Sequence, residues 1–125
     1  MTPESQIGKV TWVDLTVDNA DEIRDFYQAV VGWEHEEVSM GDYSDYALRP
    51  PSSNDPVCGV CHARGSNAGA PAQWLIYVTV VNLEESLTAC EKLGGKILMP
   101  PRNLGEGRMC VIEDPAGAVL ALCSS

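Results

Sequence analysis

Basic residues are scarce in this chain. Its 125 residues include 8 Lys and Arg against 18 Asp and Glu, which gives a formal net charge of -10 at pH 7. The few basic residues are scattered along the sequence and form no run. A polyanion would be repelled by such a surface, so the composition argues against nucleic acid as a partner.

Long apolar runs are also lacking. No stretch approaches the roughly 20 apolar residues needed to cross a bilayer, so we expect no membrane insertion. Residues 1–6 are polar and lack the cationic flank and apolar stretch of an export signal. We therefore predict a cytoplasmic protein.

The five cysteines are an odd number, which without an export signal predicts reduced thiols and no disulfide framework. Cys58, Cys61 and His62 match the spacing of a haem-attachment motif or half of a zinc site. A strand would place the two cysteines on opposite faces, which argues against haem. The lack of a second Cys or His pair argues against zinc, and acidic surroundings disfavour Cys61 as a nucleophile.

An internal repeat at an offset of 63 is the strongest signal that is present. Residues 12–19 align with residues 75–82, so that Thr16 matches Thr79. The register continues through the following segment to match Gly32 with Gly95. The repeat predicts two homologous half-domains.

Each half reads as a strand, a helix and three further strands. Val13, Leu15 and Val17 alternate with other residues in the first strand, and Asn19 and Asn82 precede amphipathic stretches as helix N-caps. The sequence therefore predicts an α+β fold of two βαβββ modules in a single domain. Module one covers about residues 1–63, a linker about 64–72, and module two about 73–125.

Several short motifs, in this order, resemble the vicinal oxygen chelate superfamily of glyoxalase I, extradiol dioxygenases and bleomycin-resistance proteins. They are Trp12-Val-Asp-Leu-Thr-Val, Phe26-Tyr27, Val31-Gly32-Trp33, Leu93-Gly94-Gly95-Lys96 and Glu113-Asp114-Pro115-Ala116-Gly117. The resemblance covers nearly the whole chain. It implies curled mixed sheets that form a cleft between the modules for a small-molecule ligand, and it implies a homodimer.

Members of that superfamily usually hold a divalent metal at fixed strand positions. The resemblance places three of these positions at Trp12, Leu75 and Ala121, whose side chains cannot bind a cation, and a fourth at Cys61 or His62. A single neutral side chain does not hold Mg, Mn or Fe. We therefore predict no cofactor and no metal ligands, and a divalent metal is disfavoured.

Three residues are candidates for moving protons. His62 ends a strand at the mouth of the predicted cleft, Asp14 is a charged side chain in mid-strand, and Glu113 precedes the Asp-Pro turn. Each has a structural alternative. His62 can be hydrogen-bonded to backbone, Asp14 can pair with Arg108 or Arg24, and Glu113 can cap the turn.

Other residues are predicted to contact the ligand. Arg64 can pair with a carboxylate, Asn67 belongs to the same turn, and Trp12 and Trp74 offer flat apolar walls. The predicted cleft face also includes Leu75, Tyr77 and Ala121. The alternatives are core packing for the tryptophans, an ion pair for Arg64 and a turn role for Asn67.

Several functions stay open at this level. The first is a small-molecule binding protein or a metal-independent enzyme with lyase- or isomerase-like acid-base chemistry, in which His62 and Asp14 or Glu113 move protons and Arg64 holds an anionic group. The second is a sequestering, resistance-type protein whose acidic, aromatic-lined cleft binds a cationic compound without turnover. The third is a divalent-metal lyase or dioxygenase with atypical ligands.

Overall fold

A computed structural model describes residues 3–125 as two repeats of a strand, a helix and three strands. This order confirms the predicted α+β fold of paired βαβββ modules. The elements are β1 (Val10–Val17), α1 (Ala20–Val31), β2 (Glu34–Ser39), β3 (Ser44–Arg49), β4 (Cys58–His62), β5 (Trp74–Thr79), α2 (Leu83–Lys92), β6 (Lys96–Leu104), β7 (Gly107–Glu113) and β8 (Val119–Ser124). Within residues 3–125, no helix is long and apolar enough to span a bilayer.

The chain forms two compact units. Val13–Trp74 is called here the central unit, and residues 3–12 together with Leu75–Ser125 are called the terminal unit. Strand β1 contributes residues to both, because its first three residues fall in the terminal unit and its last five in the central unit.

The central unit contains a mixed sheet in the order β2-β3-β4-β1. Strands β1 and β4 are parallel, with Thr16 opposite Cys61 and Val17 opposite His62, while β3 is antiparallel to both β2 and β4. A buried cluster forms its core, and Val13, Val17, Ile23, Trp33 and Trp74 pack against that cluster. The buried members are Ala20, Tyr46, Leu48, Cys58 and Val60.

The terminal unit contains the strands β5-β8-β7-β6 in that order, with β5 and β8 parallel. Alternate residues of β5 enter two different clusters, because successive side chains of a strand point to opposite faces. Val78 packs with α2 residues Leu83 and Leu87, whereas Leu75 and Tyr77 pack with Met109, Val111 and Ala121.

Both predicted asparagines stand directly before helices. The Asn82 side chain accepts a hydrogen bond from the backbone N–H of Glu85 at 2.9 Å, whereas the Asn19 amide donates to the Glu22 carboxylate at 2.7 Å. Asn82 therefore caps its helix in the usual way, and Asn19 stabilises the first turn through a side-chain contact.

The predicted match of Gly32 with Gly95 is wrong by one residue. Helix α1 ends at Gly32 in the left-handed conformation, with φ of 88°, and the corresponding glycine after α2 is Gly94, with φ of 96°. Gly95 is required for another reason. A Cβ atom there would lie 2.5 Å from the Cys90 sulfur and 3.0 Å from the Glu113 carbonyl oxygen.

Candidate functional site

His62, the last residue of β4, is held by two carboxylates in the central unit. The Asp45 Oδ1 atom accepts a hydrogen bond from the His62 backbone N–H at 2.8 Å and lies 3.2 Å from ring Nδ1. On the other side of the ring, Nε2 lies 3.4 Å from Asp21 Oδ1. Because Asp45 is only 5% exposed, it fixes the ring position from inside the protein.

Tyr46 connects this cluster to the start of α1. Its hydroxyl donates a hydrogen bond to Asp21 Oδ1, and the Arg24 guanidinium lies 4.6 Å from the centre of its ring. The hydrogen bond from Tyr46 is the main cause that lowers the pKa of Asp21, and the charge of His62 adds to it. The same bond, together with burial, raises the pKa of Tyr46.

We predict that replacing Tyr46 with Phe reduces the pH dependence of the free energy of unfolding at both acid and alkaline pH. The folded pKa of Asp21 lies below the ordinary value of 3.8, so its contribution is present above that pH and is lost as pH falls further. The folded pKa of Tyr46 lies above 10.0, so its contribution is present below pH 10.0 and is lost as pH rises through the folded value.

Denaturant unfolding across the acid and alkaline ranges checks this prediction. Tyr43→Phe is the matched control, because Tyr43 packs against the His62 ring in the same unit, with ring centres 5.4 Å apart. The control should keep the acid and alkaline pH dependence of the free energy of unfolding that the wild-type protein shows. Equal profiles for Tyr46→Phe and wild type would contradict the role assigned to this hydrogen bond.

Asp14 and Cys61 meet through their side chains. The Cys61 thiol donates to Asp14 Oδ2 with a separation of 3.3 Å. Burial raises the pKa of the Cys61 thiol strongly, and the charges of Asp14 and Asp45 raise it further. Cys61 is therefore a protonated donor to Asp14.

The two arginines considered as partners of Asp14 have other carboxylates. Arg24 pairs with Asp25 at 2.9 Å, and Arg108 pairs with Glu84. The Cys61 thiol is one donor to Asp14, a half-buried carboxylate in mid-strand that needs hydrogen-bond donors.

Arg64 and Asn67 lie in the segment after β4. The Arg64 guanidinium is 4.0 Å from the centre of the Tyr43 ring and 3.5 Å from the Asp42 carboxylate. Asn67 ends a short 3-10 turn and donates its backbone N–H to the Arg64 carbonyl at 2.9 Å. The geometry thus includes the ion pair and the turn, and ligand contacts of these residues stay a prediction.

The other predicted site residues belong to the terminal unit. The Glu113 carboxylate lies 3.9 Å from the Lys96 ammonium. Leu75, Tyr77 and Ala121 are buried in one packed cluster, against which the partly buried Trp12 packs. Their roles as ligand contacts stay predictions, and in this structure they form the core of one sheet face.

Trp74 belongs to an aromatic group in the central unit that we call the aromatic trio: Tyr27, Trp33 and Trp74. Ring centres are 5.3 Å apart for Tyr27 and Trp74, and 6.1 Å apart for Trp33 and Trp74. The Trp74 indole N–H donates to the Tyr27 hydroxyl at 3.1 Å. Tyr27 and Trp33 were not predicted as site residues, although both lie within the motifs that carry the family resemblance.

Two apolar hollows flank Trp74. One of about 300 Å³ is lined by Trp74 together with side chains of β1 and α1, including Leu15, Val17, Ile23, Phe26 and Tyr27. The other, of about 350 Å³, is lined by Val13, Trp33, Val57, Cys58 and Trp74. Hollows lined mainly by apolar and aromatic side chains, with few polar groups, are typical of small-molecule sites.

The metal positions implied by the resemblance do not fit a divalent cation. Leu75 and Ala121 are buried in an apolar cluster and offer no donor atom, and Trp12 packs against the same cluster. The fourth position falls on Cys61, whose thiol donates a hydrogen bond to Asp14, or on His62, whose ring nitrogens face Asp45 and Asp21. Among residues 3–125, no group of three or more His, Cys, Asp or Glu side chains is arranged to hold a metal ion.

Comparison with known proteins finds relatives that are named for different activities. The chain is 27% identical over 119 residues to the protein named "Putative glyoxylase CFP32" from Mycobacterium bovis, covering 94% of this chain and 44% of that protein. It is 29% identical over 127 residues to the anthracycline biosynthesis protein DnrV from Streptomyces peucetius, covering 92% and 46%. The chain thus spans less than half the length of these curated relatives.

Solved structures share the fold. A variant of methylmalonyl-CoA epimerase from Streptomyces coelicolor, in complex with 2-nitronate-propionyl-CoA, superposes with a TM-score of 0.57 at 13% identity and covers 95% of each chain. The sequence model of the Glyoxalase/Bleomycin resistance protein/Dioxygenase superfamily matches residues 9–122. Since that match takes in both βαβββ modules, the chain belongs to the Glyoxalase/Bleomycin resistance protein/Dioxygenase superfamily.

Proposed function

We propose that this chain is a small-molecule binding protein whose ligand is a flat, largely apolar compound held by the central unit. The observation that carries the proposal is the pair of apolar hollows that share Trp74 as a wall. Their sizes, about 300 and 350 Å³, lie at the lower end of the range for small-molecule sites.

The aromatic trio favours a flat ligand. Tyr27 and Trp33 each contact Trp74, with interplanar angles of 75° and 64°, so the rings are fixed by their edges and not by stacking. Tyr27 also accepts the Trp74 indole hydrogen bond. Rings held in this way are rigid walls, and a planar ligand can stack on them with little loss of side-chain entropy.

A larger hollow in the terminal unit supports this role less well. It measures about 420 Å³ and is lined by Gln6, Thr79, Glu106, Cys123 and neighbouring residues. Its lining contains no aromatic side chain and includes several polar residues, among them Gln6, Thr79 and Glu106. Such a hollow suits water better than an apolar ligand.

The acid-base candidates already contact other side chains of the protein, which supports binding over catalysis. His62 contacts Asp45 and Asp21, Asp14 contacts Cys61, and Glu113 contacts Lys96. Cys61 lies beside both Asp14 and Asp45, so the groups of Asp14 and His62 adjoin one another. A general base must be able to reach the proton that it removes from a substrate.

A screen of flat aromatic compounds by ligand-observed NMR tests the proposal. Compounds that bind the wild-type protein should bind the Trp74→Leu variant about tenfold or more weakly, because the substitution removes the aromatic wall shared by the two hollows. Trp12→Leu is the matched comparison, since Trp12 is the tryptophan of the terminal unit. Loss of binding in Trp12→Leu with full binding in Trp74→Leu would move the site away from the central unit and overturn the proposal.

A second candidate function is metal-independent acid-base chemistry at His62. The specific observation in its favour is the buried Asp45 carboxylate, which holds ring Nδ1 and leaves Nε2 on the side of the exposed Asp21. A carboxylate that orients a histidine ring is a common arrangement for a general base. Turnover of a bound compound that disappears in His62→Gln, while binding persists, would favour this candidate over simple binding.

We also propose that the chain forms a homodimer. Support comes from α1, where Phe26, Val30 and Val31 are 54%, 64% and 50% exposed, an unusual apolar content for a surface helix. Light scattering at micromolar concentration should give about twice the chain mass of 13.5 kDa. A mass of one chain would contradict the dimer.

A further inference from the structure

We propose that Trp74 is a partition that limits the ligand of the central unit to a length of two fused rings. The inference deepens the proposed function and rests on it, because it concerns the same two hollows. It comes from three observations: the hollows lie along one row of β1 side chains, the Trp74 side chain divides that row, and the indole is fixed in its position.

The two hollows lie along one row of side chains. Val13 lines one hollow, and Leu15 and Val17 line the other. These residues alternate along β1, so their side chains point to the same face of the strand. At about 3.3 Å per residue, the row is about 13 Å long from Val13 to Val17. The apolar floor of one hollow is therefore continued by the floor of the other.

Trp74 divides this row. Its side chain lines both hollows, and it contacts Tyr27, which lines one hollow, and Trp33, which lines the other. The indole thus stands with one side toward each hollow. Either hollow alone has a volume at the lower end of the range for small-molecule sites, whereas the two joined would have roughly twice that volume.

Two kinds of contact fix the indole in this position. Its N–H donates a hydrogen bond to the Tyr27 hydroxyl at 3.1 Å, and the Tyr27 and Trp33 rings meet it at interplanar angles of 75° and 64°. The hydrogen bond defines the direction in which the ring points, and the edge contacts restrict its rotation. Turning the indole out of the row would lose all of these contacts. The partition therefore stays in place when a ligand binds.

A ligand longer than one hollow meets the partition. Two fused rings fit on one side of Trp74, whereas a third ring in line would overlap the indole or leave the hollow. The third ring would then stay in water and add little to affinity, although a larger buried apolar area normally tightens binding. We therefore assign flat, largely apolar compounds of two fused rings to this site.

Three neutral probes with one substituent test the length limit. They are 2-naphthalenemethanol with two rings, 2-anthracenemethanol with three rings in line, and 2-phenanthrenemethanol with three rings in a bent arrangement. Fluorescence titration of the full chain should show about threefold or greater tighter binding of the two-ring probe than of either three-ring probe. Apolar area alone would give the opposite order.

Replacing Trp74 with alanine should reverse this order for the linear probe. The substitution joins the two hollows, so the linear three-ring probe can lie along the whole row, while the two-ring probe loses a wall. We expect its affinity relative to that of the two-ring probe to rise about tenfold or more. Trp74→Leu should change the ratio in the same direction but by less, and it provides the test if the alanine variant does not fold.

Trp33→Leu is the matched control within the aromatic trio. Trp33 lines the hollow that contains Val13 and is outside the described lining of the hollow that contains Leu15 and Val17. Its replacement widens one hollow without joining the two. It should therefore not favour the linear three-ring probe over the bent one, and thermal unfolding verifies that each variant is folded.

Failure of the length limit and failure of the binding site are distinguishable. If the Trp74 variants leave the affinity ratio unchanged, if the linear and bent probes gain equally, or if Trp33→Leu gives the same gain for the linear probe, the partition is overturned while the binding function stands. Wild-type affinities in the order of apolar area would overturn it too. If no probe binds the wild-type protein, or if the two-ring probe binds Trp74→Leu as tightly as wild type, the proposed site itself is wrong.

Discussion

Replacing Asp45 with alanine is expected to lower the free energy of unfolding by about 2 to 4 kcal/mol. Asp45 is 5% exposed and accepts from the His62 backbone N–H at 2.8 Å while lying 3.2 Å from the ring Nδ1. Removing the carboxylate leaves a partly buried donor without an acceptor. Such a loss costs more than the net contribution of an ordinary hydrogen bond.

Asp45→Asn is the informative companion, because its amide oxygen can still accept from the His62 N–H although the charge is gone. We expect it to lose about half as much as Asp45→Ala. Asp42→Ala is the control: its carboxylate side chain is 80% exposed and pairs with Arg64 at the surface, and such pairs contribute about 0 to 1 kcal/mol. Urea unfolding measures all three, and an Asp45→Ala curve equal to the wild-type curve would refute the role of this carboxylate.

Replacing Leu48 with alanine is expected to cost about 2 to 5 kcal/mol, a large fraction of the stability of a small domain. Leu48 is 0% exposed and belongs to the cluster against which Trp33 and Trp74 pack. The lost side chain leaves a cavity below these rings. We therefore expect the same variant to weaken binding of a flat ligand, because the aromatic wall loses its support.

Leu98→Ala is the matched control in β6, where the leucine is 42% exposed. It should cost less than about 1 kcal/mol, since little buried surface is lost. Thermal and denaturant unfolding compare the two variants. If Leu48→Ala and Leu98→Ala cost the same, the central cluster does not have the tight packing that its burial indicates.

The order of the elements was predictable because its signals are local. The alternation in residues 12–17, the asparagines before both helices and the glycines after them each depend on a few neighbouring residues. The register of the repeat was wrong by one residue after α2 for the opposite reason. Its stop is Gly94, and the demand on Gly95 comes from Cys90 and Glu113, which are not its sequence neighbours.

The roles of the candidate site residues stay predictions, and their contacts were not predictable. His62, Asp14 and Trp74 were singled out as unusual residues, and each lies in a defined cluster of the central unit. Asp45 and Tyr46 were missed. The sequence did offer one signal, because Asp45 is a charged residue inside a predicted strand, as Asp14 is.

The sequence by itself determined the two βαβββ modules, the acidic character and the family, since periodicity, composition and motif order are properties of the chain. Only the tertiary structure decided which side chains meet. His62 contacts Asp45 and Asp21 because β3 pairs with β4 and α1 begins beside the end of that strand. The aromatic trio likewise joins Tyr27 to Trp74 across 47 positions of the chain. Such contacts depend on strand order and register, which are set by the packing of the whole sheet and not by any local segment.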